Sequence, residues 1–343
     1  MTLILTQSEV RQLLPMADCI DVMEQALMTL SRGDAINPLR RGIRLPEPTG
    51  ILGVMPGYLR DPRAVGLKVV TVFQHNHGTE YDSHQGVVML FELDHGTPMV
   101  IMDASEITAI RTAAVSAVAT RLLANENAGD LAILGSGVQA RHHLEAMAVV
   151  RPLTTVRVFS RNEKRRAKFA KWASTRFSFP VGAKDSAQAA VEGADIICTT
   201  TSSSEPVLLG DWIAPGAHIN AVGSSVVTAR ELDARAVARS RLFVDRREST
   251  VHESGDYLGA LQEGAITEAH ILSEIGDVLS GNHAGRESPE EITLFKSLGL
   301  AIEDLAAAHY VFTEATKRRI GVEVALGGKT AAESAETHEG ERD

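Results

Sequence analysis

The sequence predicts an α/β protein with two domains of different character. Between residues 65 and 103, runs rich in Val and Leu are separated by polar turns, which is typical of antiparallel strands. From residue 130 onwards, short apolar runs alternate with helical stretches, which indicates βαβ units and a parallel sheet. The chain of 343 residues is also long enough for about two domains.

The first part of the chain is predicted to be an α+β unit with an antiparallel sheet. A short strand over 3–5 precedes a helix over 17–32, for which Gly33 is a suitable C-cap. Strands over 65–73 and 86–93 are followed by a hairpin turn into a third strand. The polar segment between the first two of these strands is expected to be a loop or an exposed hairpin end.

An alanine-rich helix over 108–124 connects the two parts, and its small residues predict close packing against another backbone or subunit. We place the domain boundary in the polar junction that follows this helix. The expected division is a first domain at 1–125, joined by residues 320–328, and a second domain at 126–319.

The end of the chain is expected to change from helical to irregular. The segment 288–320 predicts one or two helices. Residues 329–343 contain five acidic side chains and no aliphatic residue larger than alanine. A segment of this composition cannot bury enough apolar surface to fold, so a disordered tail is expected there.

Composition and charge exclude several classes of protein. Hydrophobic residues make up 44% of the chain, and no apolar run approaches the roughly 18 residues needed to cross a bilayer. The net charge of −10 argues against a nucleic-acid binder that neutralises phosphates. The N-terminus lacks the basic region of a secretory signal, and Cys19 and Cys198 lack zinc-ligand spacing. We therefore expect a cytoplasmic protein with reduced thiols and no membrane or nucleic-acid partner.

The strongest motif is a glycine-rich turn over 135–140. Its sequence, Gly-Ser-Gly-Val-Gln-Ala, follows an apolar strand and opens a helical run, which matches the G-x-G-x-x-A variant of the dinucleotide fingerprint. Gly135 permits the tight turn, Gly137 lets the backbone approach a pyrophosphate, and Ala140 allows close packing of helix on strand. A diphosphate would bind the free N–H groups of the helix N-terminus. The motif therefore predicts a Rossmann dinucleotide-binding domain, and a glycine-rich turn without a nucleotide is the alternative.

The residues after the second strand of this domain bear on the choice of cofactor. NAD-binding folds usually place an acid there, on the ribose 2′-hydroxyl, but Ser160 and Arg161 occupy the position in this chain. A hydroxyl and an arginine, with Lys164 and Arg165 nearby, favour the 2′-phosphate of NADP(H). NAD(H) stays open because Glu163 is also close, and because basic residues are typical of a solvated helix start.

Charged side chains interrupt the apolar elements of the first domain. Lys68 lies inside an apolar strand, where its spacing fits a solvent-facing and a pocket-facing side chain equally well. Arg111 lies inside the alanine-rich helix, where the pattern favours exposure to solvent. His75, His77 and His84 have loose metal-ligand spacing on a polar loop, but we expect no metal site.

Together these motifs resemble the ornithine cyclodeaminase/mu-crystallin family. The resemblance rests on Gly-Val-Met-Pro at 53–56, Lys68, Ile-Thr-Ala-Ile-Arg-Thr-Ala-Ala at 107–114, the glycine-rich turn and Ser-Leu-Gly at 297–299, and it covers residues 1–325. It implies a homodimer whose first domain supplies an antiparallel sheet for dimerisation and substrate binding, beside a Rossmann domain. It also implies that small α-amino or α-imino acids react with a nicotinamide.

The resemblance assigns roles to individual residues. Arg40, Lys68 and Arg111 match the cationic groups around the substrate carboxylate, and arginine offers the bidentate fork that a carboxylate needs. Met55 is a further substrate contact. The candidate cofactor contacts, from the motif or from the resemblance, are Thr112, Gly135, Ser136, Gly137, Val138, Gln139, Ser160, Arg161, Thr199, Thr200, Thr201, Ser202, Val222, Gly223 and Gly299.

One departure from the family pattern bears on the reaction. Cyclodeaminases and alanine dehydrogenases of the family carry an aspartate where this chain has Ser225, and Asp233 belongs to the start of the following helix. A serine cannot carry that negative charge or match the pKa of an aspartate. Ketimine reductases of the mu-crystallin type share the serine and need only the reductive half of the chemistry.

The sequence therefore predicts an NAD(P)H-dependent reductase of small α-imino acids, in which a hydride passes to the C=N carbon. Ser225 or a water molecule is expected at the substrate nitrogen. His84 is a candidate proton donor because a pKa of about 6.5 suits neutral pH. A loop histidine that caps a turn is the alternative for His84.

Two substrates and three other activities stay open. A cyclic ketimine, Δ1-pyrroline-2-carboxylate or Δ1-piperideine-2-carboxylate, would give proline or pipecolate. Iminosuccinate would give aspartate, and Arg41, Arg44 and the loop histidines would bind its second carboxylate. A cyclodeaminase would need another acid, such as Glu80 or Asp82. An alanine dehydrogenase-like enzyme and a non-catalytic binding protein are the remaining alternatives.

Overall fold

The computed structural model describes residues 1–46, 50–76 and 79–326, which form two eight-stranded sheets. In chain order the strands are β1 (Thr2–Leu5), β2 (Ala35–Ile36), β3 (Arg41–Leu45), β4 (Gly50–Leu59), β5 (Ala64–Val72), β6 (His84–Phe91), β7 (Pro98–Asp103), β8 (Asp130–Leu134), β9 (Thr155–Phe159), β10 (Val181–Ala183), β11 (Ile196–Thr199), β12 (His218–Ala221), β13 (Arg241–Val244), β14 (Ile271–Glu274), β15 (Thr293–Lys296) and β16 (Val322–Val324).

The helices pack on both sheets. In chain order they are α1 (Gln7–Leu13), α2 (Met16–Ser31), α3 (Ala104–Leu123), α4 (Val138–Val150), α5 (Glu163–Ser174), α6 (Ala187–Val191), α7 (Ala234–Ala238), α8 (Arg247–Glu253), α9 (Gly255–Gln262), α10 (Ile275–Leu279) and α11 (Ala301–Arg318). Among them, α2 and Gly33 agree with the predicted helix and C-cap, since Gly33 has the positive φ of 78° that a glycine adopts without strain. No helix in the described ranges is long and apolar enough to cross a membrane.

The first sheet has the order β16-β1-β7-β6-β5-β4-β2, with β3 also paired to β4. Its pairs are antiparallel except for β1 with β7. Side chains alternate across a strand, so Gly66 and Lys68 on β5 face α11 and are buried, whereas Val65 and Val69 face the opposite side and stay partly exposed. The two faces of this sheet therefore have different neighbours.

The second sheet has the order β10-β9-β8-β11-β12-β15-β13-β14, and every pair in it is parallel. The α/β prediction with a parallel sheet is confirmed. Because all carboxyl ends share one edge, the loops after these strands meet there. From β8 the chain first adds β9 and β10 on one side and then β11 and the later strands on the other side. The strand order therefore reverses between β8 and β11, and parallel sheets bind ligands at the carboxyl edge next to such a reversal.

The central helix α3 joins the two halves. It packs against α2 on one side and α4 on the other, and its alanines at this contact are buried, as its small residues predicted. Asp103 caps its start by accepting a hydrogen bond from the backbone N–H of Glu106 at 2.8 Å. Through α3, residues of the first sheet are held next to the carboxyl edge of the second sheet.

The C-terminal part differs from the prediction in one respect. The segment 288–320 contains β15 as well as α11, so the expectation of helices alone was wrong for 293–296. These four residues are buried and lie between β12 and β13, and burial on both faces removes the alternating pattern of a surface strand. The predicted tail at 329–343 lies outside the described residues.

The last helix returns to the first sheet. The α11 helix packs on β4, β5 and β6, and β16 pairs with β1. The boundary predicted at 319 groups α11 with the second sheet, whereas its side chains contact the first. The domain limits stay a prediction, but this packing places α11 where it can hold residues of β5.

Candidate active site

The glycine-rich turn after β8 has the geometry of a phosphate cradle. Gly135 has a φ of 123°, and a Cβ there would lie 2.6 Å from the Thr200 Oγ1 atom. Gly137 is the N-cap of α4, and no described side chain caps that helix. The first N–H groups of α4 therefore have no side-chain cap, and nothing described lies within 4 Å of a Cβ built on Gly137, which leaves room for an anion.

The second strand of this sheet ends at the predicted ribose position. The Ser136 hydroxyl donates a hydrogen bond to the Ser160 hydroxyl at 2.9 Å, so these two predicted cofactor contacts lie together. Arg161 is exposed beside them. No carboxylate of the described chain forms an ion pair with Arg161, Lys164 or Arg165.

A buried glutamate ties together the loops after β11 and β12. The Glu231 carboxylate accepts hydrogen bonds from the Thr199 hydroxyl at 2.8 Å and from the backbone N–H groups of Thr201 and Gly223, both at 2.6 Å. All three donors belong to the predicted cofactor contacts. A Cβ on Gly223 would lie 1.9 Å from the Thr201 carbonyl, so only glycine fits this close approach.

Glu231 is held in turn by a second buried pair. The Asp256 carboxylate accepts from the backbone N–H of Glu231 at 2.7 Å, and it forms an ion pair with the Lys296 Nζ atom at 3.0 Å. Burial and the neighbouring Asp256 raise the pKa of Glu231. We call Glu231, Asp256 and Lys296 the loop-holding cluster.

A different buried cluster lies between β5, α3 and α11. Asp304 bridges two cations, since its Oδ2 atom is 2.7 Å from the Lys68 Nζ atom and its Oδ1 atom accepts from the Arg111 Nε atom at 2.9 Å. Arg111 Nη1 also donates to Glu303 at 2.6 Å. We call Lys68 and Arg111 the buried cation pair, and all four residues the substrate-side cluster.

Burial changes the titration of this cluster. It lowers the pKa of Lys68 to about 8, although Asp304 opposes the shift. It raises the pKa of Glu303 to about 7 against the effect of Arg111. A lysine and a carboxylate that both titrate near neutrality are typical of functional sites.

The substrate-side cluster lies at the carboxyl edge of the second sheet. A Cβ on Gly299, in the loop after β15, would be 2.5 Å from the Arg111 Nη1 atom. Gln139 reaches across from α4 and donates to the Thr108 carbonyl at 3.4 Å, while the Thr108 hydroxyl lies 3.4 Å from Lys68. The glycine-rich turn and the buried cation pair are therefore parts of one site.

Arg40 reaches the same site from the segment between β2 and β3. Its Nη2 atom donates to the Leu298 carbonyl at 2.8 Å, and its Nε atom forms an ion pair with Glu253 at 2.8 Å. Asp245, at the end of β13, accepts from the backbone N–H of Gly299 at 2.7 Å. The loop that carries Gly299 is thus held between residues of both sheets.

The structure brings together most of the predicted site residues. Arg111 is only 3% exposed, so the pattern-based expectation of solvent exposure was wrong. An alanine-rich helix carries no amphipathic signal when it is buried on several sides, which α3 is. Met55 is buried opposite Lys68 in the β4–β5 pairing. Thr112 lies one turn of α3 from Thr108, whose carbonyl accepts a hydrogen bond from its hydroxyl at 2.6 Å.

Other predicted residues lie further out. His84 is exposed at the start of β6, opposite Val72, which is four residues along β5 from Lys68, and four residues of strand span roughly 13 Å. Arg41 is exposed on β3. Ser225 is partly exposed in the loop after β12, and Ser202 is exposed after β11. Whether these residues contact substrate or cofactor stays a prediction.

No three or more His, Cys, Asp or Glu side chains of the described ranges are grouped as a metal site would need. His77 lies outside the described residues. Glu80 and Asp82, which a cyclodeaminase would need as replacement acids, are exposed. The described acids within the site are the carboxylates of the two clusters and of Asp245 and Glu253.

Sequence reasoning missed the acidic half of the site. Glu303 and Asp304 come four and five residues after the Ser-Leu-Gly motif, in the first turn of α11, and Glu231 precedes the helix-capping Asp233. Each resembled an ordinary acid in a helical first turn. Only their complete burial distinguishes them.

Comparison with known proteins agrees with this geometry. The family model described as the ornithine cyclodeaminase/mu-crystallin family matches residues 1–319. The chain belongs to this family. A Δ1-pyrroline-2-carboxylate reductase of Bacillus cereus is 36% identical over 320 residues, which cover 93% of this chain and 98% of the relative. The ketimine reductase mu-crystallin of Mus musculus is 41% identical over 296 residues, covering 85% and 90% respectively.

Solved structures of the family superpose over nearly the whole chain. The Thermococcus litoralis Δ1-pyrroline-2-carboxylate reductase, in complex with NADH and L-proline, has a TM-score of 0.92 at 38% identity and covers 94% of this chain and 100% of its own. An archaeal alanine dehydrogenase dimer with bound NAD has a TM-score of 0.90 at 32% identity, with 95% and 99% covered. The iminosuccinate reductase of Paracoccus denitrificans, in complex with NAD+, has a TM-score of 0.86 at 27% identity, with 95% and 99% covered.

Proposed function

We propose that this chain is an NAD(P)H-dependent reductase of small α-imino acids. The observation that carries the proposal is the buried cation pair, which lies beside Gly299 at the carboxyl edge of the parallel sheet. A pair of buried cations at this place fits the carboxylate of a small substrate, next to the cleft that the fold uses for dinucleotides. The names of the relatives support the same reaction class.

The chain's own residues fit a nicotinamide dinucleotide. The open N-terminus of α4 suits the pyrophosphate, and Gly135 leaves room for close approach. The loops held by Glu231 would lie along the nicotinamide half. The bound nicotinamide supplies the hydride in this chemistry.

The protein part of the reaction is binding and orientation. Lys68 and Arg111 bind the carboxylate of the imino acid, which fixes the plane of the C=N bond in the cleft. A protonated C=N group accepts a hydride at carbon and leaves an amine. Ser225 and His84 are the candidates to contact the nitrogen or to pass a proton to it.

Charge balance favours a substrate with one carboxylate. Arg40 is already paired with Glu253, and Arg41 and Arg44 are exposed on β3. The buried cation pair faces two carboxylates of the chain itself. A second substrate carboxylate would need a further cation beside the buried pair, whereas Arg41 and Arg44 are open to solvent on β3. We therefore propose Δ1-pyrroline-2-carboxylate, or its six-membered homologue, over iminosuccinate.

The ribose end of the cleft favours NADPH over NADH. Ser160 replaces the acid that would repel a 2′-phosphate, and Arg161, Lys164 and Arg165 have no ion-pair partner among the described residues. Arginine and lysine side chains without a carboxylate partner can form charge-assisted hydrogen bonds with a phosphate. The related structures contain NADH or NAD+. The activity with NADPH therefore has to be compared with the activity with NADH.

The first sheet supports the proposal of a homodimer. Its face opposite α11 is apolar and partly exposed along three neighbouring strands, and such a face is typical of an interaction site. Its residues include Leu52, Val54, Tyr58, Val65, Leu67, Val69, Val87, Met89 and Phe91. Sedimentation of the protein in solution tests this point, and a monomer would contradict it.

The function is tested by following the oxidation of NADPH and NADH with two substrates. One is Δ1-pyrroline-2-carboxylate, and the other is oxaloacetate with excess ammonium, which generates iminosuccinate in place. We expect turnover with the first substrate and faster turnover with NADPH. Turnover with the second substrate alone would contradict the monocarboxylate proposal. Turnover with neither, accompanied by ammonia release from ornithine, would overturn the reductase assignment.

A further inference from the structure

We propose that Asp304 is a positioning residue of the substrate site, because its carboxylate joins Lys68 to Arg111 and supplies the counter-charge of Lys68. This inference rests on the proposed function. It goes beyond it, because Asp304 is separate from the groups that bind the substrate. The residue would act through the two cations rather than on the reacting atoms.

The geometry of the bridge supports the proposal. One oxygen of Asp304 is 2.7 Å from the Lys68 Nζ atom, and the other accepts from the Arg111 Nε atom at 2.9 Å. The side chain of Asp304 is fully buried, and those of the two cations are almost so. One carboxylate therefore fixes the spacing of two cations that come from a strand and a helix.

The Asp304 carboxylate uses only some of the N–H donors of Lys68 and Arg111. Arg111 uses its Nε atom for Asp304 and its Nη1 atom for Glu303. A guanidinium group has five N–H donors and an ammonium group has three. Donors thus remain for a substrate carboxylate while Asp304 stays in place.

The charges that face Lys68 come from three elements. Asp304 and, behind Arg111, Glu303 come from α11, Arg111 comes from α3, and Arg40 comes from the segment before β3. The two arginines favour the neutral form of Lys68, and Asp304 favours the charged form. Without the Asp304 charge, the two arginines are the described charged groups that act most strongly on Lys68.

The consequence is a change in the pH range of carboxylate binding. Without the negative charge, Lys68 loses its proton at a lower pH, and the site then holds a carboxylate less strongly. One opposite charge at this distance moves a pKa by about 1–3 units. At a pH above the pKa of Lys68, each unit by which that pKa falls lowers the charged fraction of Lys68 about tenfold.

The test compares Asp304→Asn with the matched control Glu303→Gln. Asparagine keeps the shape and removes the carboxylate charge that pairs with both cations. The control removes a carboxylate charge that pairs with Arg111 but not with Lys68. The measurement is the pH dependence of kcat/KM for Δ1-pyrroline-2-carboxylate. It is paired with the inhibition constant of pyrrole-2-carboxylate, whose ring nitrogen does not titrate in this range.

At high pH, both kcat/KM and the affinity for pyrrole-2-carboxylate should fall. We expect Asp304→Asn to move this fall to lower pH by about one unit or more. Asp304→Glu should restore the wild-type position in part, and Glu303→Gln should shift it by less than Asp304→Asn does. An unchanged pH dependence in Asp304→Asn, or an equal shift in the control, would overturn the proposal. If the wild-type protein fails to reduce the imine at all, the proposed function fails instead.

A further variant covers the case in which Asp304→Asn does not fold. Lys68→Arg keeps the positive charge beside Asp304, but a guanidinium group does not titrate in this range. The alkaline weakening of pyrrole-2-carboxylate inhibition should then disappear. Its persistence in Lys68→Arg would show that the titrating group is not Lys68, and the proposal would fail.

Discussion

The two buried charged clusters lie at the same edge of the second sheet but are built differently. In the loop-holding cluster, the Glu231 carboxylate is saturated by one hydroxyl and two backbone N–H groups. In the substrate-side cluster, carboxylates bind side-chain cations that keep further donors. The first arrangement fixes the course of the backbone. The second holds two cations in place and leaves some of their N–H donors without a partner among the described residues.

The difference shows how burial of charge can serve two purposes. A carboxylate surrounded by backbone donors is fully used by the fold, so its loss should change the shape of the loops. A cation held by a carboxylate on one side can still bind a second anion on the other. Buried ion pairs contribute little net stability compared with apolar residues of equal volume, so stability alone does not account for the second cluster.

The largest expected effect is on the substrate-side cluster. Lys68→Met should reduce kcat/KM for the imino acid by roughly 10- to 100-fold, because a hydrogen bond to a charged group is worth about 1.5–3 kcal/mol. The KM for NADPH should hardly change. Steady-state kinetics with each substrate varied in turn measures both values.

Lys317→Met is the control for that loss, since Lys317 lies on the exposed surface of α11 and pairs with Glu314. It should behave as wild type. Equal effects of the two substitutions would remove the distinction between the clusters.

The next effect concerns the loop-holding cluster and should fall on the cofactor. Glu231→Gln replaces one accepting oxygen by an NH2 group, which faces donors that it cannot satisfy. We expect the KM for NADPH to rise about tenfold, in line with the cost of about 1–3 kcal/mol for an unsatisfied buried group. The KM for the imino acid should change less.

The exposed Glu263, which pairs with Arg230, provides the matched substitution Glu263→Gln. It should leave both KM values unchanged. A larger effect of Glu231→Gln on the imino acid than on the cofactor would reverse the roles given to the two clusters.

A smaller effect is expected at the ribose end of the cleft. Arg161→Ala should lower kcat/KM with NADPH by about fivefold and leave the value with NADH nearly unchanged, since an exposed charge pair contributes up to about 1 kcal/mol. Parallel assays with the two cofactors measure the ratio. Arg176→Ala, beyond the opposite end of α5, should not alter the ratio. A ratio unchanged in Arg161→Ala would remove the basis for an NADPH preference.

The smallest effect should come from a charged group outside both clusters. Although burial opposes it, hydrogen bonds from His142 and Arg11 lower the pKa of Glu106 to about 2. A lowered carboxyl pKa stabilises the fold above the unfolded value of about 4.3, and this contribution is lost as the pH falls towards 2.

Glu106→Gln should therefore lower the stability at neutral pH by about 1 kcal/mol or less, because Arg11 is 65% exposed. Chemical unfolding at neutral pH and near pH 3 measures the difference, which should shrink at the lower pH. The kcat/KM should stay at the wild-type value, and a loss of activity would mean that buried charges act on the site from outside the two clusters.

Much of the nucleotide half could be predicted from the sequence, because its signals are local. The turn at Gly135 and Gly137 depends on residues next to each other, and the alternation of strands with helices extends over short windows. β15 was missed for a physical reason. A central strand buried on both faces has no alternating pattern, so a four-residue strand shortly before a helix resembles part of that helix.

The sequence by itself determined the α/β class, the glycine-rich turn and, through family motifs, the identity of the two cations. Only the tertiary structure decided how those cations are held. Asp304 lies 193 positions after Arg111, and nothing in a helical first turn marks an acid that packing will bury against a distant strand. A side chain's partners depend on which elements meet in space, and that depends on packing of the whole chain rather than on its neighbours in sequence.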